Sequence, residues 1–409
     1  MTGQIQYCIN TMSLQHLRIS AIAEADLIRL AVEGIPESKT LEYKEVLLYA
    51  TDEQKREFLG DVTALANSDG GDIVFGMKAE KGAAKELVGL ANLIPDDALG
   101  KIENLLRDFV QPRILGVEIR AITVNANNHA LLVRAPRSFA APHMVRHQGV
   151  TRFCGRNSNG KYDLDVHELR SAFVANESYA DRLKSFRLDR INRLITGSPT
   201  VAIKGQHYLV LHLLPVVGAR PDTQIATLDF ERIMGTNILR PISSGGWGPV
   251  FNFDGLLVAA HGNDNRLYSY VQVMRNGFLE AVDALILAQR TCNDKEPSKI
   301  IPSIAWEQKL LEALPGYLKA LDQLSLPPPY VLSLSLLNVK GFSMYVGPRY
   351  GDGMRPIDRE HLLTEEILIE SVTGTPEAIL RPLFDQIWNA CGWRGSINYD
   401  EAGNWRAHG

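Results

Sequence analysis

Two short stretches constrain the fold more than any other part of the chain. One runs Glu37-Ser38-Lys39-Thr40-Leu41-Glu42-Tyr43-Lys44, the other from Ala64 through Asn67-Ser68-Asp69-Gly70-Gly71 to Ile73-Val74-Phe75-Gly76. The second reads as a helix end, a turn and a strand. Asn67 to Gly71 tolerate left-handed backbone or bond their own main chain, and Ile73 to Phe75 is a short apolar run. The first is short enough for a strand, on which Glu42 and Lys44, two residues apart, project from one face. Two carboxylates and a lysine beside a glycine turn can begin a metal-dependent phosphodiester site or a phosphate cradle. Spacing alone does not choose between them.

The rest of the pattern predicts an α+β chain. Length matters here, because 409 residues exceed one ordinary core and point to two domains. Apolar residues at 45% and charged residues at 22% are those of a soluble globular protein. No apolar run approaches the ~18 residues that span a bilayer, and residues 1–12 read as a loose leader without a secretory pattern, so the cytoplasm is the expected compartment. Cys8, Cys154, Cys292 and Cys391 lack the spacing of a zinc site or a disulfide framework. Cys154, in an alternating strand, reads as a small buried residue.

Ser20 is the expected N-cap of a first helix that Gly34 and Pro36 end. A strand over 41–43, a helix over 51–66 and a strand over 73–77 follow, then a loop over 78–85 and a helix over 99–110. Strands over 116–124, 129–133 and 150–154 precede a helix over 166–176. A helix over 179–194 carries Arg182, Lys184, Arg187, Arg190 and Arg193 and reads as a basic connector. Beyond it the spacing predicts strands over 208–217, 254–260, 268–274 and 331–337, and helices over 278–289 and 306–324, the latter broken or kinked at Pro315. Residues 361–391 read as helical in pieces. This divides the chain into a domain over 13–178, the connector over 179–198 and a mixed α+β domain over 199–409, in which no chemical motif stands out. Trp247, on a Ser- and Gly-rich stretch, reads as a loop anchor rather than a lid.

Charge is distributed unevenly. From Arg120 to Tyr162 there is no Asp or Glu, yet Arg134, Arg137, Arg146, Arg152, Arg156 and Lys161 lie there with His143. Such a stretch is the footprint of a polyanion site. Arg152, Arg156 and Asn157, at a strand end and its loop, suit phosphate contacts, with Arg187 and Arg190 of the connector joining them. The bland alternative is a solvated basic surface paired with acids from the other half of the chain. The Gly70-Gly71 turn lacks the order of a P-loop and is explained by a tight turn alone.

The spaced blocks E-S-K-T-L-E-Y-K, A-L-A-N-S-D-G-G-D-I-V-F-G, Val88 to Leu90, Gln111-Pro112-Arg113, Ala135 to Ser138 with Pro142-His143, and Arg152 to Asn157 come in one order. Tyr162 to Val166 and Glu168 to Arg170 close the series. In this the chain resembles the Schlafen AlbA-like domain over roughly residues 20–180. The resemblance implies an α/β nucleic-acid domain and, in the nuclease branch, Mg²⁺ or Mn²⁺ held by three acids. Glu37 and Glu42 match two of them, and the third aligns on Ala79 with Glu80 beside it. Metal-dependent endoribonuclease action on tRNA or other RNA is then expected, with Glu37, Glu42 and Glu80 on the metal and Lys44 offsetting phosphate charge, in bacterial stress or phage defence by analogy. The rival is a non-catalytic DNA- or RNA-binding regulator with a C-terminal sensor, and an ATP-dependent switch is a third reading. Nucleic acid is the expected partner, with no membrane, and homodimerisation is left open.

Overall fold

Parallel pairing of two strands sets the first layer. In the computed structural model β1 (Leu41–Lys44) runs beside the strand after the glycine turn, with Glu42 opposite Ile73 and Lys44 opposite Phe75. The structure describes residues 14, 17–125, 127–235, 237–261, 267–289, 299–347 and 355–406. The leader expected over 1–12, Cys8 and Cys292 lie outside the described residues. The chain divides into two units, Met1–Ser178 and Tyr179–Gly409.

In the first unit α1 (Glu24–Val32) precedes β1 and α2 (Asp52–Asn67) follows it. Ser20 does not cap α1. Ala23 stands at that position, and its N–H is taken by Asp26 Oδ2 at 2.9 Å. α2 begins as the sequence predicts, with Thr51 Oγ1 accepting the Gln54 N–H and Gln54 Oε1 accepting that of Thr51. Its Phe58, Val62 and Leu65 are buried against Ile73 and Phe75 of β2 (Gly71–Phe75). Gly71 is required at the crossover, because at φ +154° a Cβ there would stand 2.5 Å from the Thr40 carbonyl oxygen.

Next come β3 (Met77–Glu80), β4 (Ala83–Leu87), β5 (Leu90–Ala91), α3 (Pro95–Phe109), β6 (Val110–Gln111), β7 (Glu118–Asn125) and β8 (Asn128–Ala135). β9 (Met144–His147), β10 (Val150–Asn157) and β11 (Gly160–Asp163) complete the strands of this unit. One sheet has the order β1-β2-β8-β5 with β7 also on β8, a second the order β11-β10-β9-β6, and β3 and β4 form a two-stranded third. The loop expected over 78–85 is instead the antiparallel hairpin β3–β4. Lys81 and Gly82, both at positive φ, make its turn, and pairing overrides the weak strand propensity of Lys, Ala and Glu.

The two helices expected over 166–176 and 179–194 are one, α4 (Val166–Ile195), and the division of the units falls within it. The second unit then adds β12 (Tyr208–Pro215), α5 (Thr227–Met234), β13 (Gly248–Asn252), β14 (Gly255–His261), β15 (Leu267–Met274), β16 (Leu279–Asp283), β17 (Ile300–Pro302) and α6 (Ala305–Gln323). β18 (Tyr330–Leu337), β19 (Ser343–Tyr345), β20 (His361–Leu363), β21 (Ile367–Ile369) and α7 (Pro376–Ala390) end it. Its large sheet has the order β13-β14-β15-β16-β12-β18-β20, with β21 also on β18. Trp306, Leu310 and Leu314 of α6 join Phe384 and Trp388 of α7 in one core cluster, and Ile191 and Leu194 of α4 belong to another.

Leu279 to Asp283 were expected in a helix. They form a strand because β12 and β15 pair with it on both sides, and tertiary pairing outweighs the helix preference of Leu, Glu and Ala. Residues 361–369 likewise extend along β18. Pro315 stands inside α6 without dividing it. The chain is α+β, and among the described residues no helix is long and apolar enough to cross a membrane.

Candidate functional site

The first unit contains a cleft of about 460 Å³ lined by side chains from β1, α2 and the β10–β11 hairpin. β1 buries Leu41 and Tyr43 on one side and turns Glu42 and Lys44 to the cleft. Glu57 and Asp61, one helical turn apart, come from α2. Arg156 and Lys161 are register partners across the hairpin and reach the cleft from the opposite side. Gly60 makes room for this approach, since a Cβ there would meet Lys161 Nζ at 3.1 Å.

These groups form one ion-pair chain. Lys44 Nζ lies 3.0 Å from Glu42 Oε1, 3.3 Å from Asp61 Oδ2 and 3.8 Å from Glu57 Oε1. Lys161 Nζ lies 2.8 Å from Asp61 Oδ1 and 3.0 Å from Glu57 Oε2. Arg156 Nη2 pairs with Glu42 Oε2, while its Nε donates to the Ser38 carbonyl at 3.0 Å and Nη2 to that of Leu41 at 3.3 Å. Burial pulls the Lys44 pKa down, but Asp61 and then Glu42 outweigh it and hold the ammonium well above its ordinary range. Glu37 differs from the other acids. Its Oε1 accepts the Tyr43 N–H at 3.1 Å, it has no ion-pair partner among the described residues, and burial first, then Glu42, pushes its pKa up.

Glu37, Glu42, Lys44, Arg156 and Lys161 thus come together, and Glu80 does not join them. Glu80 sits on the β3–β4 hairpin with a side chain 60% exposed, paired with Lys85, and it is not among the residues lining the cleft. The hairpin turn explains this, because it gives Glu80 a partner across the turn. Of the other expected nucleic-acid contacts, some are buried on internal partners and others, Arg137 and Arg152 among them, stand in exposed ion pairs. Arg134 grips Asp72 at 2.7 and 2.9 Å and the carbonyls of Leu14 and Leu17. His143 is fully buried with Nδ1 2.7 Å from the Pro112 oxygen, and burial holds its pKa down. Arg152 pairs with Asp163, Arg137 with Asp69, and Asn157 Oδ1 accepts the Asn159 N–H. Arg187 and Arg190 are buried in the second unit, on Glu366 and Glu280, where no nucleic acid reaches them. Arg146 is exposed and makes no ion pair among the described residues. The acid-free stretch is therefore mostly matched by acids from elsewhere in the chain.

The glycine turn is structural too. Asn67 Nδ2 donates to the His143 and Cys154 carbonyls, its Oδ1 accepts the His143 N–H, and Ser68 Oγ accepts that of Arg156. Asp69 pairs with Lys39 and Arg137. Cys154 is buried as expected, and Trp247 packs under the Arg240 guanidinium against the second unit's core. Sequence reasoning missed Asp61, a carboxylate only 3% exposed amid Phe58, Leu59 and Val62. A lone acid on an apolar helix face was the available signal.

The donor set does not fit a divalent metal as it stands. Both oxygens of Glu42 and both of Asp61 face cations, and Glu80 is elsewhere. Among the described residues no group of three or more His, Cys, Asp or Glu is placed to hold a metal ion.

The first unit is thus an α/β domain in which a parallel strand pair, a capped helix and a basic hairpin enclose a charge-balanced cleft. Residues 37–165 match the family described as Schlafen, AlbA_2. Among solved structures the chain is similar to the N-terminal domain of a RecG-related protein from Nitrosomonas europaea, determined by solution NMR. The two share 21% identity over 36% of this chain and 97% of that one, with a TM-score of 0.26. It is also similar to the crystal structure of a protein from Corynebacterium diphtheriae, at 10% identity over 64% of this chain and 80% of that one, with a TM-score of 0.26. No curated protein matches the sequence.

Proposed function

We propose that the first unit binds nucleic acid in the cytoplasm, RNA foremost, and that a backbone phosphate is received at the cleft. The observation that carries this reading is Arg156. Its side chain lines the cleft, is only 4% exposed and is fixed through Nε and Nη2, while Nη1 makes no hydrogen bond among the described residues. A guanidinium immobilised on one edge offers its remaining N–H groups to phosphate at little entropic cost. Lys81, on the rim, and Lys44 and Lys161 add positive charge nearby. The Schlafen AlbA_2 match agrees with a nucleic-acid role. Metal-dependent cleavage of tRNA is less well supported, because Glu37 is the one cleft acid not already paired with a cation.

Fluorescence anisotropy with labelled tRNA and with single-stranded DNA, over a salt series, tests the proposal. Arg156→Lys keeps the charge but loses the fork, and should weaken binding to all sequences alike. Lys81→Ala should flatten the salt slope by about one unit if it meets a phosphate. Affinity that ignores salt overturns the reading, and cleavage of the tRNA in Mn²⁺ would restore the hydrolytic one.

A further inference from the structure

The ammonium of Lys44 occupies an unusual place for a side-chain cation. Three carboxylates from two elements converge on it, Glu42 at 3.0 Å, Asp61 at 3.3 Å and Glu57 at 3.8 Å. One monovalent cation cannot balance three acids. Lys161 supplies a second charge, on the far oxygen of Asp61 and on Glu57, and Arg156 a third on the far oxygen of Glu42. The inner part of the cluster is sheltered, with Asp61 and Arg156 side chains each 4% exposed, while Glu57 at its rim is 47% exposed. Hard oxygen ligands converging on one point are what Mg²⁺ and Mn²⁺ require, at about 2.1 Å from the ion. Here the oxygens stand further out, at the contact distance of an ammonium, so they do not make a metal site as placed.

We propose that Lys44 stands in for a divalent cation. With Lys161 it masks a carboxylate focus of Glu42, Glu57 and Asp61, and the cleft binds its ligand without metal. The second half of this proposal rests on the nucleic-acid reading above, and the first does not. A hydrated divalent ion entering the focus would have to expel a lysine that three acids hold in place. Removing that ammonium leaves three acids with two cations, an excess of negative charge that a divalent ion can relieve.

Thermal unfolding followed by far-UV circular dichroism, in Mn²⁺ against a monovalent salt of equal ionic strength, tests the first half. The wild-type transition should be the same in both. Lys44→Met keeps the apolar stem and removes the charge. It should melt lower without metal and recover in Mn²⁺, by about 3–6 °C for a tenfold gain in the folded-to-unfolded ratio. If Lys44→Met does not fold without metal, refolding on addition of Mn²⁺ is the same readout. A Mn²⁺-specific rise in the wild type, or none in a folded Lys44→Met, overturns the masking. Labelled single-stranded RNA then tests the second half, with equal wild-type affinity expected in EDTA and in Mn²⁺ at matched ionic strength. Metal-dependent affinity overturns metal-free binding. Absence of RNA binding in both conditions overturns the nucleic-acid reading and leaves the melting result standing.

Discussion

Asp61→Asn is the substitution that bears most directly on the cleft. It keeps the shape of a side chain 4% exposed and removes the charge that links Lys44 at 3.3 Å to Lys161 at 2.8 Å. Breaking a buried ion pair from one side costs about 3–5 kcal/mol, and a single hydrogen bond to a charged group contributes about 1.5–3 kcal/mol. The full cost is not expected, because each lysine keeps another acid at 3.0 Å, Glu42 for Lys44 and Glu57 for Lys161. A loss of about 2–3 kcal/mol follows, or about 4–12 °C in melting temperature for a unit of this size. The tryptophans separate the two units in such a measurement. All five, Trp247, Trp306, Trp388, Trp393 and Trp405, lie in the second unit, so their fluorescence reports that unit, while far-UV circular dichroism reports both. In urea, Asp61→Asn should shift the part of the dichroism transition that tryptophan fluorescence does not follow, and leave the fluorescence midpoint in place. A change under about 0.5 kcal/mol would mean that the bridge behaves as an exposed pair and would refute the reasoning.

Glu37→Gln should raise stability at neutral pH. Burial raises this carboxyl's pKa in the folded state, so its contribution is most favourable when protonated and declines as pH rises through the folded pKa. The variant's advantage should therefore vanish on acidification towards pH ~4, and a constant difference across pH would refute it. In the second unit, Arg190→Met should cost about 3–5 kcal/mol by tryptophan fluorescence in urea, since it strands the fully buried Glu280. Burial alone would raise the Glu280 pKa, but Arg190 first and then His212 hold it down to about 2. The stability it supplies is complete above the ordinary carboxylate range and is lost as pH falls towards that value, and the variant should lack this acid limb.

The fold was legible where local chemistry and tertiary demand agree. Thr51 and Gln54 close the capping box of α2, and the glycine turn leads into β2, because both are decided within a few residues. The misreadings share the opposite condition. Leu279 to Asp283 carry helix-forming residues, and only the two neighbouring strands make them extended. Residues 78–85 have little strand propensity, and a two-residue turn at positive φ folds them back on each other. Glu280 on the first of these strands was equally hidden, since its partners Arg190, His212 and Tyr270 lie 90, 68 and 10 residues away.

The cleft shows why counting charges along a sequence can identify the residues of a site and still misjudge their role. Glu37, Glu42 and Lys44 stand out by their spacing and by the Schlafen AlbA-like resemblance, Arg156 and Lys161 by charge, and all five line one cleft, yet the long acid-free stretch suggested a positive surface. It is acid-free within itself because its acids are contributed by other elements: Asp72 by β2 to Arg134, Asp61 by α2 to Lys161, and Glu42 by β1 to Arg156. Asp163 lies one residue beyond the stretch and takes Arg152. Such pairing across elements leaves no trace in a one-dimensional charge count. It is visible only as a carboxylate where an apolar residue is due, as at Asp61 between Leu59 and Val62. A buried acid on an apolar helix face needs a cation or hydrogen-bond donors opposite it, and at Asp61 in α2 the cations come from Lys44 of β1 and Lys161 of β11.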